Sequence, residues 1–196
     1  MKTTCATVTN KGQTMLASLA ILSLSLMLTA CTAIAPAYQA TVDNVKILQT
    51  MPDNAWAEPG HFSVVDESMN QLRIRGNPYN SPFNNSYAEY IKEALRAELQ
   101  SAGRLGNKTN AVISGQVLKN DLDGSFGIGK ASVIVRFTVT KSGKPIYEKV
   151  AIGETKWDSS LMAALAIPDA QRNHAEAVKQ MLGKLFADPN FQKAIQ

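Results

Sequence analysis

The sequence predicts an α+β fold: an antiparallel sheet of about four to five strands packed on two amphipathic helices as a two-layer sandwich, placed after an export-type N-terminal segment. Three observations carry that expectation. Residues 131–140, ASVIVRFTVT, put Ala131, Val133, Val135, Phe137 and Val139 on one side of a strand and Ser132, Arg136, Thr138 and Thr140 on the other. That is the alternation of a sheet with one dry face and one wet face. Residues 87–102 space Ala88, Ile91, Leu95, Leu99 and Ala102 by threes and fours, which makes one apolar helical stripe. The elements run strands, helix, three strands, helix, and a one-sided sheet and striped helices satisfy each other face to face.

The first segment covers residues 1–30. Lys2 and Lys11 are its only charges, and residues 15–30, MLASLAILSLSLMLTA, carry none. A positive start followed by an apolar run is the layout of an export signal. The run is shorter than the ~20 residues of a spanning helix, so a transmembrane anchor is the weaker reading. It ends in Leu28-Thr29-Ala30-Cys31, which resembles the bacterial lipobox, the recognition site of lipoprotein signal peptidase. Small residues before the cysteine let a protease hold extended backbone, and the thiolate is the reactive form that lipid transfer needs. The resemblance implies that Leu28, Thr29 and Ala30 direct cleavage, that Cys31 receives a diacylglyceryl group and that its new amine is acylated. Such chains, at ~0.8 kcal/mol per buried methylene, suffice for stable anchoring. In enterobacterial lipoproteins an Asp after the cysteine retains the protein in the inner membrane; Thr32 stands there in this chain, which points to the outer membrane. The competing reading is an ordinary signal peptide with a chance cysteine.

Cysteine usage agrees. Cys5 lies in the segment that would be removed, leaving Cys31 for the lipid and no thiol for a disulfide or a metal. The core must therefore hold the fold, and the expected cofactor is none beyond the covalent lipid on Cys31.

Residues 31–41 are small, uncharged and interrupted by Pro36, and they read as a lipidated tether to a periplasmic domain at 42–196. VDNVKILQTM, from Val42, is expected as an edge strand, and HFSVVDES and NQLRIRG as short strands, with Leu72 and Ile74 alternating with Arg73 and Arg75. Ser86-x-x-Glu89 forms a capping box for the first helix, and Gly103 supplies a left-handed stop. AVISGQVL, ASVIVRFTVT and PIYEKVAIGET are the three following strands; KSGK turns the last pair at Gly143, and KNDLDGSFGIG is expected as a longer mobile loop. Pro168 is expected to end the apolar run Leu161–Ile167. A second helix then carries Val178, Met181, Leu182, Leu185 and Phe186, with Asn173 and Glu176 at its start. Asp188-Pro189 suits the N-cap and first position of a last short helix.

Catalytic signatures are weak. GSFGIGK lacks the strand-loop-helix setting of a phosphate loop. Counted from Asp121, NDLDGS places Phe126 and Ser132 where a calcium loop needs Gly and Glu. His61 and His174 show no metal-ligand spacing and are expected at the surface or at a cap; no metal site is expected. The formal charge is +4, with basic and acidic residues interspersed, so nucleic acid is not an expected partner. Two apolar features are open to partner binding. Tyr79, Phe83, Tyr87 and Tyr90 either present rings to a partner or close one end of the core. Leu161, Met162 and Leu165 either dock on a partner or bilayer or form a short buried helix. The edge of residues 145–155 is a third, weaker candidate, able to accept a strand from another chain.

SPFNNSYAEYIKEALRAELQSAGRL, ISGQVLKNDLD and the closing ADPNFQKAI resemble small proteobacterial outer-membrane lipoproteins of the YajG type. More loosely, they are similar to the lipoprotein plug of the lipopolysaccharide export machine and to auxiliary lipoproteins of envelope ABC transporters. The resemblance spans about residues 60–196 and implies an α+β sandwich facing the periplasm, without enzymatic activity. It favours a non-catalytic binding or adaptor domain, held to the membrane by its lipid and meeting an envelope protein or glycolipid. The alternatives are an auxiliary subunit of a lipid or lipopolysaccharide transport assembly and, less favoured, an envelope hydrolase.

Overall fold

A computed structural model describes residues 33–196. The α+β class holds. The main sheet has four strands in the order β2-β5-β6-β7: β2 (Glu58–Val64), β5 (Ala111–Asp123), β6 (Gly127–Lys141) and β7 (Lys144–Ser159). A small second sheet places β1 (Ala33–Ile34) beside β4 (Asn77–Asn80) and β4 beside β3 (Arg73–Ile74). Two long helices, α2 (Tyr87–Ser101) and α3 (Ala163–Phe186), contribute the apolar layer opposite the main sheet, and α1 (Val42–Gln49) and α4 (Pro189–Ala194) complete the chain. The expected antiparallel arrangement describes β5-β6-β7, but β2 joins β5 in parallel. A parallel neighbour needs a long crossover, and the segment containing β3, β4 and α2 is that crossover.

The alternation read in the sequence is the observed register. Val133, Val135, Phe137 and Val139 of β6 are fully buried with Ile113 and Val117 of β5. On α2 the stripe Ala88, Ile91, Leu95, Leu99 and Ala102 faces inward. Each such Leu or Ile contributes about 1.5–3 kcal/mol of burial. Ser86 Oγ accepts the amide of Glu89 at 3.2 Å, whereas the Glu89 carboxylate turns outward to Lys92 at 3.0 Å, so only half of the capping box forms. Gly103 stops the helix at φ +69°, with the Arg104 amide donating to Leu99 O at 2.7 Å. At the other hairpin, Ser142 and Gly143 both take positive φ, as a two-residue turn between twisted strands requires.

Four expectations are corrected. The stretch from Val42 is a helix, not an edge strand. Thr41 accepts the amide of Asn44 at 3.1 Å as its N-cap, and Asn44 and Leu48 are buried one turn apart, overriding the β-branched composition. Its C-terminal carbonyls are collected by buried Arg104, which donates to Leu48 O at 3.3 Å and to Gln49 O at 3.4 Å, and also to Pro52 O just beyond the helix at 2.9 Å. Second, the expected tether belongs to the fold from Ala33 onward. Ala33 and Ile34 pair with Tyr79 and Asn80, and the wholly buried carboxylate of Glu98 accepts from Tyr38 Oη at 2.6 Å, from the Thr41 amide at 3.2 Å and from Asn44 Nδ2 at 2.9 Å. Third, KNDLDGSFGIG is mostly strand; β5 and β6 stay paired from Ala111↔Lys141 to Asp123↔Lys130. Its polar residues fit because Asn120 bonds inward while Lys119 and Asp121 pair in solvent at 3.2 Å. Fourth, Pro168 lies inside a continuous α3. Pro168 is exposed, as is Ala164, the residue whose carbonyl loses its donor at that point, so the orphaned carbonyl lies on the solvent side of the helix, where its loss costs little. Asn173 is accordingly mid-helix, donating to Asp169 O at 2.9 Å.

Glycine fixes how closely α3 lies on the sheet. A Cβ built on Gly153 of β7 would stand 1.8 Å from the carbonyl oxygen of Ala177, so helix backbone meets strand backbone there.

Candidate functional site

The lipobox residues Leu28, Thr29, Ala30 and Cys31 lie outside the described residues. Of the two readings of the aromatic group, the structure shows the packing one: Tyr79, Tyr87 and Tyr90 are fully buried and Phe83 is half-buried, packed against the core. They surround His174 of α3. The imidazole meets Tyr87 edge-on at 5.2 Å and Tyr79 at 5.6 Å between centroids. Tyr87 Oη donates to Tyr79 O at 2.8 Å. His174 is therefore neither a surface nor a cap residue. Asn120 Nδ2 donates to Met69 O at 3.0 Å, which leaves Asn120 Oδ1 to accept from His174 Nε2 at 2.9 Å. That arrangement assigns the neutral ring's proton to Nε2. Burial pushes the His174 pKa down to about 4, so near neutrality this ring is an uncharged packing element. Burial also drives the tyrosine hydroxyls upward, Tyr90 to about 12.

The second apolar group behaves differently. Leu161, Met162 and Leu165 are exposed, Leu161 at 71%; they form no short buried helix. Arg75 organises this end of the domain. It sits at φ +52° in the two-residue β3–β4 turn, followed by Gly76 at +82°, a conformation that favours Asn or Gly over Arg. Its guanidinium offsets that strain by donating to Gly124 O at 3.0 Å, to Leu161 O at 2.6 Å and to Ser160 O. Ser159 Oγ adds a bond to Gly124 O at 3.1 Å. One side chain thus ties the β5–β6 turn to the start of α3. On the edge strand β7, Ile146, Val150 and Ile152 are partly exposed, but Glu148 interrupts their row, and Lys149, on the other face, is drawn to Asp188 at 2.7 Å.

An open polar cleft of about 640 Å³ lies along the far ends of β5, β6 and β7, with Arg73, Lys119, Lys130 and Lys156 facing Asp121, Asp123 and Glu154. Its charges are partly spent on one another. Lys119 pairs with Asp121, Ser132 Oγ donates to Glu154 at 3.4 Å, and the Ser125 hydrogen bonds hold the Asp123 carboxyl below its ordinary range. Among the described residues no group of three or more His, Cys, Asp or Glu is arranged to hold a metal, and no described helix is long and apolar enough to cross a membrane.

Sequence reasoning missed Glu98 and Arg75. Glu98 falls three residues after Leu95, on the apolar stripe, and a carboxylate placed there signals a buried partner set. Arg75 carried no signal beyond the Arg-Gly pair of a tight turn.

No protein-family model matches the sequence, and no curated protein shows a significant match. Among solved structures, the chain is similar to a Xanthomonas campestris protein of family DUF330, with a TM-score of 0.56 at 9% identity over 79% of this chain and 94% of that one. The two share an α+β fold. A looser likeness is to a candidate lipoprotein from Caulobacter crescentus, with a TM-score of 0.45 at 13% identity over 76% of this chain and 93% of that one.

Proposed function

We propose that the protein is a lipid-anchored lipoprotein of the bacterial envelope, held preferentially in the outer membrane. Its domain, residues 42–196 together with the docked segment from Ala33, faces the periplasm and binds rather than transforms a partner. The observation that carries this reading is the charge-free run closing in Leu28-Thr29-Ala30-Cys31 immediately before a folded domain. The non-catalytic role is supported by the allocation of chemistry: the buried imidazole is committed to packing, and the charges of the polar cleft are partly paired with one another. Intact mass spectrometry of the protein from its native membrane tests the anchor. The expected chain starts at Cys31 and carries a diacylglyceryl group plus one N-acyl chain, and Cys31→Ser removes both the lipid and the membrane association. An unmodified amino terminus refutes the reading.

A further inference from the structure

We propose that the apolar end of the domain lies directly against the bilayer in which the Cys31 lipid is embedded, so that the domain has one fixed orientation on that membrane instead of hanging from it. This rests on the lipoprotein reading above.

The first argument is covalent reach. Only Thr32 separates Cys31 from Ala33, the first residue of β1, and two residues of chain span at most about 7 Å. Because residues from Ala33 onward are part of the fold, the lipid has no slack with which to let the domain drift.

The second argument is direction. β1 runs parallel to β4, with Ala33 opposite Tyr79 and Ile34 opposite Asn80. Its N-terminal end therefore opens toward the start of β4, where Asn77 pairs with Ile74 next to the Arg75–Gly76 turn. The Arg75 guanidinium gathers Gly124, Ser160 and Leu161 at that same place. Gln171 of α3 also donates to Ile34 O at 3.3 Å. The point from which the lipid emerges and the apolar end are thus one region.

The third argument is composition. Ile34, Phe126, Ile128, Leu161, Met162 and Leu165 are all more than half exposed there, from three separate parts of the chain. No charge occurs in residues 124–129 or 159–168; the Arg75 guanidinium beside them is turned onto the Gly124, Ser160 and Leu161 carbonyls, and Arg73, Asp123, Lys130, Asp158 and Asp169 stand at the margins. An apolar centre with a charged rim is how a protein meets the boundary between headgroups and acyl chains, and tethering raises the effective concentration of that surface at the bilayer far above that of any soluble partner.

The test uses the full chain, exported and purified from membranes, in vesicles of phosphatidylethanolamine and phosphatidylglycerol. Single cysteines replace Leu161, Phe126 or, as a control further along β7 where it pairs with Arg136, Val150, and each is labelled with an environment-sensitive nitrobenzoxadiazole dye. The expected result is a blue-shifted, several-fold brighter emission at 161 and 126 that nitroxide-labelled phospholipid quenches, with the label at 150 unaffected. Aqueous emission at 161 and 126 overturns the proposal, and so does a blue shift that lipid nitroxide does not quench, which assigns the surface to a second copy or a protein partner. The chain without added cysteines separates the two levels. If it takes up dye, Cys31 is unlipidated and the docking proposal falls with the lipoprotein reading; if it stays unlabelled, failure at 161 and 126 condemns the docking alone.

Discussion

Replacing Gly153 by alanine tests how this domain holds its main helix. The added methyl would sit 1.8 Å from the carbonyl oxygen of Ala177, against an ordinary carbon–oxygen approach of about 3.3 Å, so α3 and β7 must part locally by about 1.5 Å. A radial gap of even ~1 Å forfeits up to half of each dispersion contact across it. The seam that opens holds Ala170, Val178, Met181 and Leu182 of α3, all with no exposed surface. Overpacking of this kind costs about 1–3 kcal/mol when side chains can yield. Here both colliding parts are backbone, which places the expected loss near 3 kcal/mol and the fall in Tm at about 6–12 °C. Thermal and urea unfolding of G153A beside V150A, an exposed control on the same strand, measures it. A Tm within 2 °C of the parent refutes the close approach. So does rescue by A177G, because the obstructing atom is the carbonyl oxygen and trimming the side chain leaves it in place.

Two further outcomes follow from buried polar groups. His174 has its pKa lowered from 6.5 to about 4 by burial. The unfolded chain therefore takes up the proton first as pH falls, and the contribution of the neutral ring, about 3 kcal/mol, is complete above pH 6.5 and lost on acidification towards pH 4. The imidazole resonances of His174 should stay flat down to pH 5, and a midpoint near 6.5 in the folded protein would contradict the packing. Glu98→Gln puts an amide donor among three donors, Tyr38 Oη, the Thr41 amide and Asn44 Nδ2. It should destabilise by about 2–4 kcal/mol and speed hydrogen exchange at Thr41, whereas unchanged protection there would mean that the N-terminal segment is held by something else.

Periodicity made the sheet and α2 legible. Val133 to Val139 and Ala88 to Ala102 are long, strictly patterned runs whose burial follows from spacing alone. Short-range signals misled where a distant group supplied the missing bond. Val42–Gln49 reads as a strand until Arg104 and Glu98 are seen to satisfy its ends and flank. The polar stretch around Asn120 reads as a loop until His174, 54 residues away, accounts for the buried amide. Pro168 reads as a stop because proline removes a donor, and helix continuity there depends on the exposure of the orphaned carbonyl, which no local pattern reveals. The parallel pairing of β2 was equally hidden, since alternation states which face a strand buries and not which way its neighbour runs. Of the candidate contact residues, Tyr79, Tyr87 and Tyr90 took the packing alternative because they find polar or aromatic company inside. Leu161, Met162 and Leu165 find none, and stay outside.

The parallel pairing also sets an order of assembly. β6 and β7 are joined by two residues, Ser142 and Gly143, and can zip from their own turn as soon as both exist. β2 precedes both in the chain, yet its partner β5 begins only at Ala111, so that strand, carrying Phe62, stays unpaired until a sequence-distant one is in place. The β6–β7 hairpin, extended by β5, is therefore the local unit that can form first, and closure of β2 onto β5 is the long-range step that completes the sheet.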